Sequence, residues 1–136
     1  HDLPRTDFFH WVLVDLDPAT TNLANGSHSD GITPRGKDGP DSPNDGRHGT
    51  NDYTGWFAGD ADMAGQYYGY DGPCPPWNDE RLHHYFFTVF ALDTDICGVS
   101  GAFTGGDVRA AIEGHVLDSA SLEVTYSLNP AVFGRA

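Results

Sequence analysis

Between residues 25 and 52 the chain contains almost nothing from which a hydrophobic core could be built. Of these 28 residues, 22 are Gly, Pro, Ser, Thr, Asn or Asp, and Ile32 is the one aliphatic side chain. This composition favours turns and cannot bury enough apolar surface to form a layer of a fold. Residues 25–52 are therefore predicted to form a long polar surface loop within a single domain spanning residues 1–136. The core must come from the sequence on either side.

Charge excludes several classes of partner. The 136 residues include 20 Asp and Glu against 7 Lys and Arg, which gives a formal net charge of −13. Nucleic acid and anionic membrane surfaces need a cationic patch, so neither is expected as a partner. No apolar run approaches the ~20 residues of a transmembrane helix, and a cytoplasmic location is predicted, with a periplasmic or secreted one left open. Cys74 and Cys97 are predicted to be free thiols rather than a bridge.

The apolar segments predict strands first, then a helix, then a last strand. Residues 8–16 and 83–92 are short segments rich in aromatic and β-branched side chains. Apolar residues occupy both the odd and the even positions, which indicates strands buried on both faces. Residues 107–117 have apolar side chains at helical spacing, and residues 121–128 alternate as a strand with one wet face. This order favours a β-rich α+β fold. Three strands cannot bury both faces of a central sheet, so we expect either short extra strands from the loop or an absent N-terminal part.

A start signal precedes the predicted helix. Thr104 and Asp107 stand at the spacing of a capping box, with Asp in place of the usual Glu. Gly114 weakens the helix towards its end.

Two segments combine reactive groups with strand geometry. The first is His10, inside the first predicted strand. The second begins with the Gly-Pro-Cys-Pro-Pro run at 72–76, which is expected to form a rigid wall because Pro fixes φ and lacks an N–H. It is followed by a predicted strand on which His83 and Tyr85 share one face and His84 lies on the other. Imidazole and phenol donors beside such a wall suit a phosphate or carboxylate. The alternative stays open that these histidines are buried in a core, with their hydrogen bonds made to the protein itself.

Other sites are disfavoured by their patterns. Asp60–Asp62 and Asp41–Asp45 lack the register of a calcium loop and are expected to be solvated acids. Zinc held by His10 and His83 would lack the usual four ligands, and Cys74 is expected to be an inert thiol. No metal or other cofactor is predicted, and no nucleophile elbow is present.

Several ordered motifs carry a family resemblance. The quoted segments are DFFHWVLVDL (7–16), GTNDY (49–53), GYDGPCPP (69–76), HHYF (83–86), ALD (91–93), EGHVL (113–117) and VTYS (124–127). Together they resemble the phosphatidylethanolamine-binding protein family, also described as Raf kinase inhibitor protein-like, and in particular its bacterial and archaeal branch. The resemblance implies a large central β-sheet with a smaller flanking sheet, a few peripheral helices and an anion pocket at one end of the sheet.

The resemblance also implies the residues of that pocket. Carried over by motif, the ligand-binding residues are Asp2, Pro4, His10, Gly72, Pro73, Cys74, Pro76, His83 and Tyr85. His84 replaces the arginine usual in the family, and only the end of an Asp-Pro-Asp-x-Pro motif is present around Asp2. Relatives have strands upstream of that motif, so the chain is expected to lack N-terminal strands, either as a fragment or as one piece of a processed or split protein.

The function so implied is binding rather than catalysis. We expect a pocket for phosphate, carboxylate or a phosphoethanolamine-like phospholipid headgroup, in a regulator of the kinase- or protease-inhibitor kind. An N-terminal segment of the same protein and a second copy of the chain are further expected partners. The alternatives are a hydrolase or transferase that uses His10 or His83 as base, and an interaction module that uses the acidic loop.

Overall fold

A computed structural model of the chain describes residues 7–29, 34–43 and 46–133. The chain divides into two compact units, unit 1 (His1–Asp71 with Asp95–Glu113) and unit 2 (Gly72–Thr94 with Gly114–Ala136). The elements in chain order are β1 (Leu13–Val14), β2 (Arg47–His48), α1 (Tyr53–Trp56), β3 (His83–Leu92), α2 (Gly105–Ile112), β4 (Val116–Tyr126) and α3 (Pro130–Phe133).

The described strands form two antiparallel sheets of two strands each, β1–β2 in unit 1 and β3–β4 in unit 2. Helices are few and short, so the predicted β-rich α+β class is confirmed. No helix among the described residues is long and apolar enough to cross a membrane. The assignment of the whole chain to one domain stays a prediction.

The first predicted strand is much shorter than the expected 8–16. Only Leu13–Val14 pairs with a neighbour, and Leu13 lies opposite His48. The chain leaves the extended conformation at Asp15, which has a φ of 60°. Two hydrogen bonds of the Asp15 carboxylate compensate for this unfavourable backbone conformation. Oδ1 accepts from the Cys97 N–H at 2.7 Å and Oδ2 from Arg47 Nε at 2.6 Å.

The residues before β1 bond to two other parts of unit 1, and two of the three contacts continue the register in which Leu13 lies opposite His48. The carbonyls of Phe9, His10 and Val12 accept from the backbone N–H groups of Asp52, Asp71 and Gly49 at 2.8, 3.1 and 2.9 Å. The strand ladder does not continue, because the N–H groups of Thr50 and Asn51 donate to the Phe103 and Tyr67 carbonyls instead. Here residues 9–12 meet two segments distant in sequence, residues 49–52 and Asp71. The buried apolar side chains of this unit are Val12, Val14, Tyr67, Cys97, Phe103 and Ile112.

The polar stretch 25–52 differs from a simple surface loop at particular residues. His28 and His48 are 8% and 5% exposed, and the backbone of Lys37 pairs with Gln66 and Tyr68. Gly39 lies so close to Tyr68 that an added Cβ would be 2.3 Å from the ring. Polar side chains are therefore packed here through hydrogen bonds and close backbone approach.

Helix α2 begins as the sequence predicts. The Thr104 side chain accepts from the Asp107 N–H at 3.2 Å, and Asp107 Oδ2 accepts from the Thr104 N–H at 2.9 Å, which completes the capping box. The predicted end at 117 is wrong, because the helix stops at Ile112 and Gly114 has a φ of 79°. Val116 is already the first residue of β4.

Unit 2 is built on a long hairpin. Strand β3 has the bounds predicted for 83–92, and β4 runs from Val116 to Tyr126 instead of over 121–128. His83 lies opposite Tyr126 at one end, and Leu92 opposite Val116 at the other. The expected burial of β3 on both faces is not seen. Exposed apolar side chains of the two strands are Phe86, Phe87, Val89, Phe90, Val116, Leu117, Leu122 and Val124.

Candidate functional site

His10 is held in unit 1 by a two-way contact with Asp71. The His10 ring nitrogen Nδ1 lies 2.9 Å from the Asp71 carbonyl oxygen, and the Asp71 N–H donates to the His10 carbonyl at 3.1 Å. A carbonyl can only accept, so Nδ1 carries the proton. In the neutral ring Nε2 is therefore the unprotonated nitrogen.

The surroundings of His10 favour its neutral form. Burial lowers the pKa of His10 below its usual value of about 6.5, and the Asp71 carbonyl and the charges of Asp52 and Asp71 oppose this effect only in part. The rings of Phe8 and Tyr53 pack around the imidazole, with centroids 4.8 and 5.5 Å from it. Neither Phe8 nor Tyr53 is among the predicted ligand residues.

Asp71 is the centre of a polar network that sequence reasoning missed. Its carboxylate oxygen Oδ2 accepts from Asn51 Nδ2 at 2.6 Å, and Oδ1 lies 3.0 Å from Lys37 Nζ. Asn51 is 1% exposed and also donates to the Gly69 carbonyl, while Lys37 Nζ donates to the Tyr70 carbonyl at 2.8 Å. Asn51 belongs to the GTNDY motif, which could have pointed to it. Nothing local in the sequence singles out Lys37.

The Gly72–Pro76 wall belongs to unit 2 and has no regular secondary structure. Pro75 is buried, Gly72 and Pro73 are half-buried, and Cys74 and Pro76 are exposed. Both cysteines are free, as the sequence predicts, and burial raises the pKa of Cys97.

His83 and Tyr85 lie together on one face of β3. Their ring centroids are 6.5 Å apart, and His83 Nε2 lies 2.8 Å from Asp79 Oδ2. Asp79 also accepts from the Arg81 N–H, and that bond, followed by the His83 bond, lowers the pKa of Asp79. His84 points to the other face of the strand and pairs with the Glu123 carboxylate. The alternation that the sequence predicts for these residues is confirmed.

The predicted pocket residues therefore fall into three groups. His10 is in unit 1, and Gly72, Pro73, Cys74, Pro76, His83 and Tyr85 are in unit 2. Asp2 and Pro4 lie outside the described residues. That these residues share one pocket stays a prediction.

A second histidine pair lies in unit 1, beside an open cleft of about 320 Å³. His28 Nδ1 and His48 Nε2 are 2.9 Å apart, so one ring donates to the other. His28 Nε2 is buried and has no hydrogen-bond partner among the described residues. Burial, the neighbouring His28 and the charge of Lys37 lower the pKa of His48 to about 4. In the described ranges, no three His, Cys, Asp or Glu side chains are grouped to hold a metal ion.

Comparison with known proteins places this geometry in a family. A model of the family described as phosphatidylethanolamine-binding protein matches residues 1–127. A UPF0098 protein of Methanothermobacter thermautotrophicus is 35% identical over 121 residues, covering 89% of this chain and 64% of its own length. A UPF0098 protein of Pyrococcus horikoshii is 33% identical over 125 residues, covering 92% of this chain and 52% of its own.

A solved structure agrees with these matches. The crystal structure of Escherichia coli YbcL, described as a new member of the mammalian PEBP family, superposes with a TM-score of 0.63 at 26% identity. The match covers 88% of this chain and 61% of YbcL. The chain belongs to the phosphatidylethanolamine-binding protein family, as its motifs predict. It spans only about half to two thirds of the length of these relatives.

Proposed function

We propose that the protein binds small anions, with phosphate, carboxylate or a phosphoethanolamine-like headgroup as ligand. Family membership supports a ligand-binding protein of this type. The observation that carries the proposal is the fixed orientation of His10, whose Nδ1–H is committed to the Asp71 carbonyl. Once the ring takes up a second proton, Nε2–H becomes a directed, charged donor for an anion.

The proposed ligand set follows the family motifs. His10, His83 and Tyr85 supply donors, the Gly72–Pro76 wall supplies shape, and Asp2 and Pro4 complete the site. Because His83 Nε2 bonds to Asp79, its Nδ1 is the nitrogen left to face a ligand. A regulator of kinases or proteases, acting in the cytoplasm, is the physiological role proposed from the family.

The proposal predicts a distinctive pH dependence. A protein of net charge −13 repels anions at long range, so affinity must come from contact with protonated donors. Because the pKa of His10 is lowered, phosphate affinity should rise mainly as the pH falls below about 6.5. Moderate salt should weaken binding little, since contact hydrogen bonds in a pocket are less screened than surface pairs.

NMR titration with inorganic phosphate and phosphoethanolamine tests the proposal. His10→Ala and His83→Ala should each reduce affinity by about 1–3 kcal/mol, the range for a lost hydrogen bond to a charged group. His84→Ala is the control, because His84 lies on the opposite face of β3. Chemical shift changes confined to residues 25–52, or a His84 variant as damaging as the other two, would contradict the assignment. Turnover of ester or phosphoester panels that is lost in His10→Ala would favour the hydrolase alternative.

A further inference from the structure

Lys37 is the only lysine in the chain, and it is largely withdrawn from solvent. Its side chain is 11% exposed although it lies in the most polar stretch of the sequence. Burying an ammonium group is unfavourable unless it is paired and hydrogen-bonded. Lys37 Nζ meets this requirement with two consecutive residues, the Tyr70 carbonyl at 2.8 Å and the Asp71 carboxylate at 3.0 Å.

These contacts hold the same peptide segment that orients His10. The Asp71 carboxylate is shared between Lys37 and Asn51, so its side chain is restrained from both oxygens. The Asp71 backbone exchanges two hydrogen bonds with His10, one of them from the imidazole. A shift of the Tyr70–Asp71 peptide would therefore remove the acceptor that keeps the His10 proton on Nδ1.

We propose that Lys37 is a positioning residue for the His10 site, acting through Asp71 to fix the orientation and tautomer of the His10 ring. The link to ligand affinity rests on the proposed function. The effect on the His10 ring does not, because it follows from contacts present without ligand. Lys37 thus couples the polar stretch 25–52 to the segment that leads directly into Gly72.

Lys37 also pairs with one of the two carboxylates whose charges act on His10. Groups of the described residues that face the imidazole include the carboxylates of Asp52 and Asp71 and the rings of Phe8 and Tyr53. Lys37 neutralises one of these carboxylates at close range. Without Lys37, an uncompensated Asp71 would attract a proton to His10, and without the Asp71 charge the ring would be harder to protonate.

The test uses the ligand-free protein and compares variants that are expected to shift the pKa of His10 in opposite directions. Nitrogen-15 spectra of the His10 imidazole report tautomer and pKa directly. Lys37→Met should mix the tautomers and raise the pKa of His10, whereas Asp71→Asn should lower that pKa. Lys37→Arg keeps the charge and should restore the wild-type tautomer. Arg35→Met removes a cation from the same stretch, where the side chain is exposed, and should change nothing.

A second variant separates the positioning role of Lys37 from its contribution to folding. If Lys37→Met fails to fold, the double variant Lys37→Met/Asp71→Asn removes both charges of the pair and takes its place, because a lone buried charge is then avoided. In that double variant the tautomers should still be mixed. A wild-type tautomer and pKa in folded Lys37→Met, or a wild-type tautomer in the double variant, would overturn the positioning role.

Inorganic phosphate titrations complete the test. At a pH low enough to protonate His10 in both proteins, Lys37→Met should bind phosphate about tenfold more weakly than the wild type, because the charged ring is then less well oriented; this loss is within the range for coupled neighbours. If the wild-type protein does not bind phosphate but Lys37→Met still alters the His10 tautomer, the proposed function fails and the positioning role stands. If phosphate binding depends on His10 but Lys37→Met leaves both the ring and the affinity unchanged, the positioning role alone fails.

Discussion

At the scale of single residues, the buried imidazole pair His28–His48 links the stability of unit 1 to pH. Two neutral rings can share one hydrogen bond, as the 2.9 Å separation shows. A proton added to His48 would place a cation in a buried setting close to Lys37. Protonation of His48 is therefore unfavourable in the folded protein.

The pKa of His48, lowered to about 4, gives this link a sign. The unfolded chain takes up the proton near pH 6.5, and the folded protein only near pH 4. Stability is thus fully present above about pH 6.5 and falls towards pH 4, with a limiting slope of about 1.4 kcal/mol per pH unit. Urea denaturation between pH 7 and 4.5 should show a smaller slope for His48→Gln.

The exposed His115 provides a control for this measurement. It lies at the surface of unit 2, so His115→Gln removes one imidazole without altering the buried pair. Parallel pH profiles for the wild type and His48→Gln would show that His48 does not carry the effect.

At the scale of elements, local signals define where each one begins better than where it ends. Helix α2 begins at its capping box, but its end is a turn in which Glu113 leaves the helical region with a ψ of 124° and Gly114 takes a φ of 79° before β4. A side chain at Gly114 would meet no heavy atom within 4 Å, so only the backbone conformation favours glycine there.

A matched pair of glycine substitutions isolates this backbone effect. Gly114→Ala should lower the free energy of unfolding by about 1–2 kcal/mol, because the left-handed conformation is unfavourable for a residue with a Cβ. Gly106→Ala, inside α2 with an ordinary contact of 3.7 Å to Thr104 Oγ1, should instead stabilise by up to about 1 kcal/mol. Chemical denaturation of both variants decides it, and equal effects would contradict the argument.

At the scale of the whole molecule, the family could be predicted because several ordered motifs resemble it, and the fold class and strand β3 because local apolar patterns indicate them. The contacts around Asp71 could not, because Lys37, Asn51 and His10 approach it from distant parts of the chain. The strand predicted at 8–16 failed for the same reason, since pairing depends on a partner that pattern alone does not supply. Polar composition likewise concealed the burial of His28.

The same scale shows two opposing features, a strong negative charge and an apolar hairpin. Val89, Phe86 and Leu122 are 61%, 56% and 62% exposed on β3 and β4. Exposed apolar faces and unpaired strand edges favour association, while a net charge of −13 opposes it. The balance between the two must depend on salt.

Sedimentation velocity should therefore show association that increases with NaCl, because salt shortens the Debye length from about 10 Å at 0.1 M to about 3 Å at 1 M. Val89→Lys should reduce it by placing a charge on the hairpin. Ile96→Lys, at an equally exposed apolar site in unit 1, adds the same charge elsewhere and should have less effect. Association that is independent of salt, or equally sensitive to both variants, would count against the hairpin.

The burial of Lys37 also allows local opening of this part of unit 1 to be measured by proteolysis. A lysine-specific protease has one cleavage point in this sequence, and in the folded state that point is clamped by Tyr70 and Asp71. Cutting must wait for the segment to open, so its rate measures the population of the opened form when reclosing is fast. A ligand that stabilises the closed form of the His10 site would lower the population of the opened form. It would then be detected as slower digestion, without any label on the protein.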